Sequence, residues 1–329
     1  MPPVSQRPVI FATAPLRGPG VDVLRSIGDV IEESWISSTT MTLLNDEQLA
    51  AKIAETGASI VICEADQCKG AVLDAGLLAI ASTRGDPTNV DVLAATAKGI
   101  PVLRAPGRNA DAVAEMTIAL LTAVNRHVLR ADNDVREGNI YLDGTIPYQR
   151  FRAWQLAGRT AGLIGLGAVG RATKWRLEGL GMNVIAYDPY AADATHDLDE
   201  LLAESDVVSM HAAVSPDTMQ MMGAKQFAAM NDDAIYINSA RAGLHDTDAL
   251  VEALQTGQIG GAGLDHFDGE MLPEGHPLIA MPNVVLTPHI GGATYDTEAN
   301  HTTLIANGLV QLLNGEVPSN CVNPEVLAK

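Results

Sequence analysis

The sequence predicts an α/β protein of two doubly wound parallel-sheet domains, each sheet carrying helices on both faces. Three observations predict it. Short β-branched or aliphatic runs alternate with longer amphipathic stretches almost from end to end. The alternation starts afresh after a polar interval containing Gly138, Gly144 and Pro147. A chain of 329 residues is also long enough for two domains with separate cores.

In chain order, "PVIFAT" (8–13), "ASIVIC" (58–63) and "LLAIAS" (77–82) read as strands. Between them "DEQLAAKIAE" (46–55) reads as a helix, as does "NVDVLAATAKG" (89–99), which ends on a glycine cap. "IPVLRAPG" supplies another strand and its exit turn. The pattern over 109–135 reads as one long helix, suited to connecting two domains, with Asp111 near its start. The second series runs through "TAGLIGLGAVG", "NVIAYD", "DVVSMH", "AIYINSA", "GAGLD" and "NVVLT". A final helix is expected over 297–315.

Composition narrows the function. Apolar residues make up 47% and aromatics 4%, so the cores must be aliphatic. A formal charge of −19 argues against nucleic acid and anionic membrane, which are bound through excess Lys and Arg. Cys63, Cys68 and Cys321 are too few and too scattered for a disulfide framework, and no metal site is expected. The N-terminus lacks the apolar core of a signal peptide, and no run approaches the ~20 residues of a membrane helix. A reduced, cytoplasmic protein is the expectation.

One motif points to a nucleotide. Gly165, Gly167 and Gly170 form G-x-G-x-x-G after an apolar strand and before a helix, and a second strand ends in Asp188. Gly165 permits the tight turn, Gly167 the approach of a pyrophosphate, and Gly170 close helix–strand packing. The N–H groups of Ala168 and Val169 open the helix, whose positive dipole end suits phosphates. Asp188 would accept the adenosine ribose hydroxyls and repel a 2′-phosphate, and no basic residue follows it in "DPYAADATHD". The expected cofactor is NAD rather than NADP.

The chain resembles the D-isomer-specific 2-hydroxyacid dehydrogenases, which include phosphoglycerate, glycerate and D-lactate dehydrogenases. The resemblance runs from "NVDVLAATAKGIPVLRAPGRNADAVAE" through "INSARAGLHDTDAL" and "GAGLDHFDGE" to "NVVLTPHIGGAT", in family order. It implies a central Rossmann domain over 109–291 and a flavodoxin-like substrate domain built from 1–108 and 292–329. It further implies a catalytic trio of Arg241, Glu270 and His289. Ala240 is assigned to the cofactor site, and Asp265 is set against the nicotinamide carboxamide. A homodimer is implied through the helix from Asp111 and the segment up to Trp154.

The chemistry supports the trio independently. Hydride transfer to a 2-keto acid leaves an alkoxide that must collect a proton, and histidine can donate one near neutral pH. A neighbouring carboxylate fixes its tautomer and favours its charged form. A guanidinium grips a carboxylate with a planar fork that Lys cannot imitate. The plainer alternatives are a histidine that only caps a Pro-flanked turn and a glutamate that is merely a solvated loop acid. His211 reads as a structural neighbour of the cofactor, and His266 as a substitution where an aliphatic residue is usual. His127, His196, His245, His276 and His301 read as surface residues.

Departures from the family bear on the substrate. "STRGDPTNVD" places Arg84, Gly85 and Asp86 in a loop where glycines usually receive the substrate carboxylate. Arg104 stands where Asn is common, Arg108 follows, and Met271 replaces a frequent proline. Arg150 and Arg152 lie in "YQRFRAW". The chain holds 15 Arg against 6 Lys, and Arg241 alone suffices for one carboxylate. Substrate binding by Arg84, Gly85, Arg104 and Arg108 together with Arg241 therefore suggests a second anionic group, as in 3-phosphoglycerate-like compounds, phosphonates or dicarboxylates. Internal pairing with Glu64, Asp86 or Glu115 is the structural alternative. Hydroxypyruvate or glyoxylate reduction is the competing activity, and an NAD-sensing corepressor-like protein the competing class. The chain ends five residues after "NCVNP", so feedback through a C-terminal regulatory domain is not expected.

Overall fold

The computed structural model describes residues 7–37 and 43–328; the first six residues, part of the stretch read for a signal peptide, lie outside them. The chain divides into two compact units, Met1–Asn109 with Thr294–Lys329, and Ala110–Ala293. Both are α/β, as expected. Among the described residues no helix is long and apolar enough to cross a membrane.

Unit 1 is built from β1 (Val9–Ala12), α1 (Gly20–Ile27), β2 (Asp29–Glu32), α2 (Asp46–Thr56), β3 (Ile60–Cys63), β4 (Ala79–Ser82), α3 (Val92–Ala97) and β5 (Val102–Leu103). Its sheet runs β2-β1-β3-β4-β5, all parallel, which is the flavodoxin-like order. Successive side chains feed opposite cores. Phe11, Val61, Ile80 and Val102 join Leu49 and Ile53 of α2 on one face, while Ile10, Ile60, Ile62 and Leu103 lie on the other. Parallel strands buried on both faces need this continuous aliphatic sequence. α2 starts at an Asn45–Gln48 capping box and stops at left-handed Gly57. The sequence reading missed α1 and β2. β2 is an edge strand of exposed and half-buried residues with an acid at each end, so it carries no apolar run.

Unit 2 comprises α4 (Ala110–Asn125), α5 (Val128–Glu137), α6 (Pro147–Arg150), β6 (Thr160–Ile164), α7 (Ala168–Gly179), β7 (Asn183–Tyr187), α8 (Leu198–Glu204), β8 (Val207–Met210), α9 (Ala224–Ala228), β9 (Ile235–Asn238), α10 (Thr247–Thr256), β10 (Gly261–Leu264), α11 (Pro277–Ala280) and β11 (Val284–Leu286). Its six parallel strands lie in the order β11-β10-β9-β8-β6-β7. Because β6 and β8 are neighbours while the chain detours through β7, the switch point falls at the end of β6. Cores again fill both faces, with Leu163, Val207 and Ile237 on one and Ile164, Val208, Met210 and Tyr236 on the other.

The single helix expected over 109–135 is two. α4 buries Val113, Thr117, Leu120, Leu121 and Val124, whereas α5 buries nothing, and left-handed His127 (φ 53°) breaks the path between them. Helical periodicity continues past the point where packing stops. The last helix, α12 (Tyr295–Leu313), returns to unit 1 and buries Thr297, His301, Ile305, Leu309 and Leu312. Each of its buried Ile and Leu side chains contributes about 1.5–3 kcal/mol. His301 is fully buried on that face, not a surface residue as expected.

Candidate active site

The loop after β6 is shaped by its glycines. Gly165 has φ +102°, and a Cβ there would lie 2.7 Å from the Ala212 nitrogen. A Cβ on Gly170 would lie 2.1 Å from the Gly165 carbonyl oxygen. Gly167, by contrast, caps α7 without a side-chain bond, and a Cβ there would meet nothing within 4 Å. An open space before the first N–H groups of α7, at Ala168 and Val169, is what a pyrophosphate requires. Asp188 follows β7; its Oδ2 accepts from Leu166 N–H at 2.7 Å and its Oδ1 from Tyr190 N–H at 2.8 Å. Each oxygen keeps a lone pair for a ribose hydroxyl. These residues fit a dinucleotide. Behind the loop, burial pushes His211 down to about 4, its Nε2 lying 2.9 Å from Ser209 Oγ.

The remaining candidates of unit 2 come from the carboxyl ends of β9, β10 and β11, where parallel sheets present ligand sites. His289 Nδ1 lies 2.9 Å from Glu270 Oε1, and both side chains are solvent-accessible, at 43% and 59%. Both residues are also left-handed, with φ +54° and +60°. For residues with a Cβ this conformation costs on the order of 1–3 kcal/mol and persists only when neighbours impose it.

Asp265 imposes it on His289. This carboxylate is 1% exposed and accepts from Thr287 Oγ1 (2.6 Å), Ile290 N–H (3.0 Å) and Gly291 N–H (2.8 Å). The Pro288–Gly291 turn thus wraps around a buried anion, and His289 projects from its crest. The sequence reading sets Asp265 against a nicotinamide carboxamide; in the fold its carboxylate organises this turn.

Arg241 follows β9 and donates from Nη1 to the Ala240 carbonyl at 2.6 Å; Ala240 N–H in turn donates to Asn238 Oδ1 at 3.0 Å. The same Nη1 lies 3.5 Å from Nε2 of His266. His266 is 4% exposed, and its ring centroid is 3.7 Å from that of His289. Burial, then the charges of His289 and Arg241, push it down to about 3. Expected from the sequence to be a plain substitution, it touches two of the three expected catalytic side chains. Ligand atoms of His266, Glu270 and His289 fall within 4.8 Å of one another, but the adjacent guanidinium opposes a cation among them.

His245, expected at the surface, is 4% exposed. Its Nδ1 is 2.9 Å from Asn238 Nδ2, its ring stands edge-on to Tyr236, and burial pushes it down to about 4. The available signal was its place just before Asp246, which caps α10, since the residue preceding an N-cap commonly turns inward.

In unit 1 the arginines part company. Arg108 pairs with Glu64 Oε1 and lies 2.8 Å from His301 Nδ1, while His301 Nε2 donates to the Pro15 carbonyl at 2.7 Å. Because the carbonyl only accepts and the Arg108 guanidinium only donates, His301 carries its proton on Nε2 and is neutral, a state that burial favours. Arg108 is therefore committed internally, which corrects its expected place in a substrate grip. Arg150, in unit 2, is likewise tied to Asp134 Oδ2 at 2.6 Å. Among the described residues the Arg104 side chain reaches only the Gly85 carbonyl, at 3.4 Å. Arg84, just past β4, is half-buried and forms no ion pair among the described residues.

Residues 118–291 match the family profile described as the NAD binding domain of D-isomer specific 2-hydroxyacid dehydrogenases. The chain is 34% identical to a glyoxylate reductase of Thermofilum pendens, covering 98% of this chain and 96% of that one. It is 33% identical to a D-3-phosphoglycerate dehydrogenase of Methanocaldococcus jannaschii over 95% of its own length, and spans 59% of that longer relative. A solved protein from Thermus thermophilus superposes with a TM-score of 0.81 at 35% identity, covering 95% of this chain and 99% of the other.

Proposed function

The chain belongs to the D-isomer specific 2-hydroxyacid dehydrogenase family of NAD-dependent oxidoreductases acting on CH–OH groups, and from that premise we propose that it interconverts a 2-keto acid and a D-2-hydroxy acid carrying a second anionic group. The observation that carries the chemistry is the His289–Glu270 pair, 2.9 Å apart on two left-handed residues. NADH, when bound, supplies the hydride to the keto carbon. With Nδ1 engaged by Glu270, His289 presents Nε2 to protonate the alkoxide that develops on the former carbonyl oxygen. Glu270 holds the Nδ1 proton and so fixes the orientation in which Nε2 faces the substrate. Arg241 grips the substrate carboxylate and draws electron density from the carbonyl. Asp188 selects the cofactor without a 2′-phosphate.

The second anionic group is assigned to Arg84 and Arg104 beside Gly85, the arginines of that region that carry no carboxylate partner among the described residues. A 3-phosphoglycerate-like substrate is the first choice. Glyoxylate or hydroxypyruvate is the second, favoured by the name of the Thermofilum pendens relative. NADH oxidation against a panel of 2-keto acids tests this. Arg84→Ala is expected to lower kcat/KM for a dianionic substrate about tenfold or more, and much less for a monocarboxylate. Equal losses on both would return Arg84 to a structural role.

A homodimer is part of the same reading. The segment after α4 exposes Val128, Leu129, Val135, Tyr141, Tyr148 and Trp154, apolar side chains that a second copy would cover. Light scattering at micromolar concentration is expected to give twice the mass of 34.6 kDa; a monomer would reject it.

A further inference from the structure

His266 lies between two anchored pieces of backbone. The preceding residue, Asp265, donates its N–H to the Asn238 carbonyl at 3.0 Å and holds the His289 turn with its carboxylate. The following residue, Phe267, accepts the N–H of Glu270 at 3.0 Å and opens the loop that carries it. The buried ring of His266 is thus fixed from both sides and has little freedom to swing away.

Three charged or titratable groups face it within unit 2. His289 comes from the turn after β11, with ring centroids 3.7 Å apart and planes inclined by 51°. Arg241 comes from the end of β9, its Nη1 3.5 Å from His266 Nε2. Glu270 comes from the loop beyond Phe267 and acts on His266 through its charge. Resting on the dehydrogenase reading, we propose that His266 is a positioning residue: it orients Arg241 through Nε2 and favours protonated His289 through the face of its ring.

Burial holds His266 neutral, since its value near 3 is far below neutral pH. Its Nε2 therefore offers a lone pair to the Arg241 guanidinium, leaving the proton on Nδ1. A neutral aromatic face against a neighbouring cation is attractive, so the ring stabilises the imidazolium form of His289. A charged His266 would do the reverse. An aliphatic side chain could fill the same volume but could neither accept from Arg241 nor offer an aromatic face.

These two contributions can be separated by substitution. His266→Phe keeps the face and loses the acceptor; His266→Asn keeps an acceptor and loses the face; His266→Val loses both. His266→Phe is expected to raise KM for the keto acid several-fold while leaving the alkaline limb of reduction in place. His266→Asn is expected to preserve KM and move that limb down by about half a pH unit, the scale of an exposed cation–π contact. His266→Val should show both effects. If the valine variant fails to fold, the other two still carry the test.

Histidine NMR titration of substrate-free protein supplies a readout independent of turnover. The His289 midpoint should fall in His266→Asn and stay in His266→Phe. Identical midpoints and KM values in all folded variants would overturn the proposal, as would equal losses of kcat with no KM or pH separation. If the unaltered protein reduces no 2-keto acid, the dehydrogenase reading fails, while the NMR result still decides whether His266 biases His289.

Discussion

Each unit of this protein gathers an arginine, a glutamate and a histidine at the carboxyl end of its sheet, and the two sets behave oppositely. In unit 1, Glu64 takes Arg108, and His301 is closed between Arg108 and the Pro15 carbonyl. In unit 2, Glu270 lies against His289, and Arg241 reaches the Ala240 carbonyl and a neutral histidine. The first set is largely enclosed, with its histidine fully buried and both ring nitrogens occupied. The second is exposed to solvent, and its glutamate and histidine sit on left-handed backbone. Residue types alone do not make an acid–base site. Which partner the carboxylate chooses, and whether solvent reaches the ring, decide between a structural clamp and a proton donor.

The largest effects are expected from removing one member of each set. His289→Asn is expected to lower the rate of keto-acid reduction by about 10²–10⁴, the usual worth of a general acid, with little change in stability. In unit 1 the cost should appear in stability instead. Glu64→Gln leaves Arg108 without its counter-charge; with the pair only 15% and 18% exposed, a loss on the order of 3 kcal/mol is expected in urea denaturation. Turnover per folded molecule should survive. If folded Glu64→Gln protein loses its chemistry while His289→Asn keeps it, the two sets have been assigned the wrong way round.

A smaller effect sharpens the contrast through pH. His245 and His266 titrate near 4 and 3 in the fold, against about 6.5 in an unfolded chain. As pH falls through 6.5 the unfolded state binds protons that the folded state refuses, so stability drops. The drop continues until pH reaches each folded value. The limiting slope is about 1.4 kcal/mol per pH unit for each group. His245→Val is expected to flatten the loss between pH 6.5 and 4 by about 1 kcal/mol per unit, read from urea midpoints. An unchanged slope would mean that His245 takes up its proton without unfolding.

Much of this arrangement was legible before any coordinates. Strands buried on both faces announced themselves as continuous aliphatic runs, because a parallel sheet covered by helices leaves them no polar side. The Gly165–Gly170 loop was legible because its demands are local: a left-handed turn, and a carbonyl five residues away that forbids a side chain. Edge strand β2 was not, since half-buried residues between two acids carry no pattern. Nor was the break at His127, because periodicity does not say where a partner surface ends.

The partners of the polar side chains were decided by tertiary structure. His301 shares the spacing of Thr297, Ile305 and Leu309, so its burial could have been read from the helix, but its contact with Arg108 joins residues 193 apart. Asp265 turns to a loop 22 to 26 residues downstream, and His266 meets His289 and Arg241 from two other strand ends. Sequence determined which chemical groups this protein carries and which local conformations its backbone must adopt, because sterics and hydrophobic periodicity act between near neighbours. Hydrogen bonds and ion pairs act over about 3 Å, so their partners exist only once the chain has returned to bring distant strand ends together.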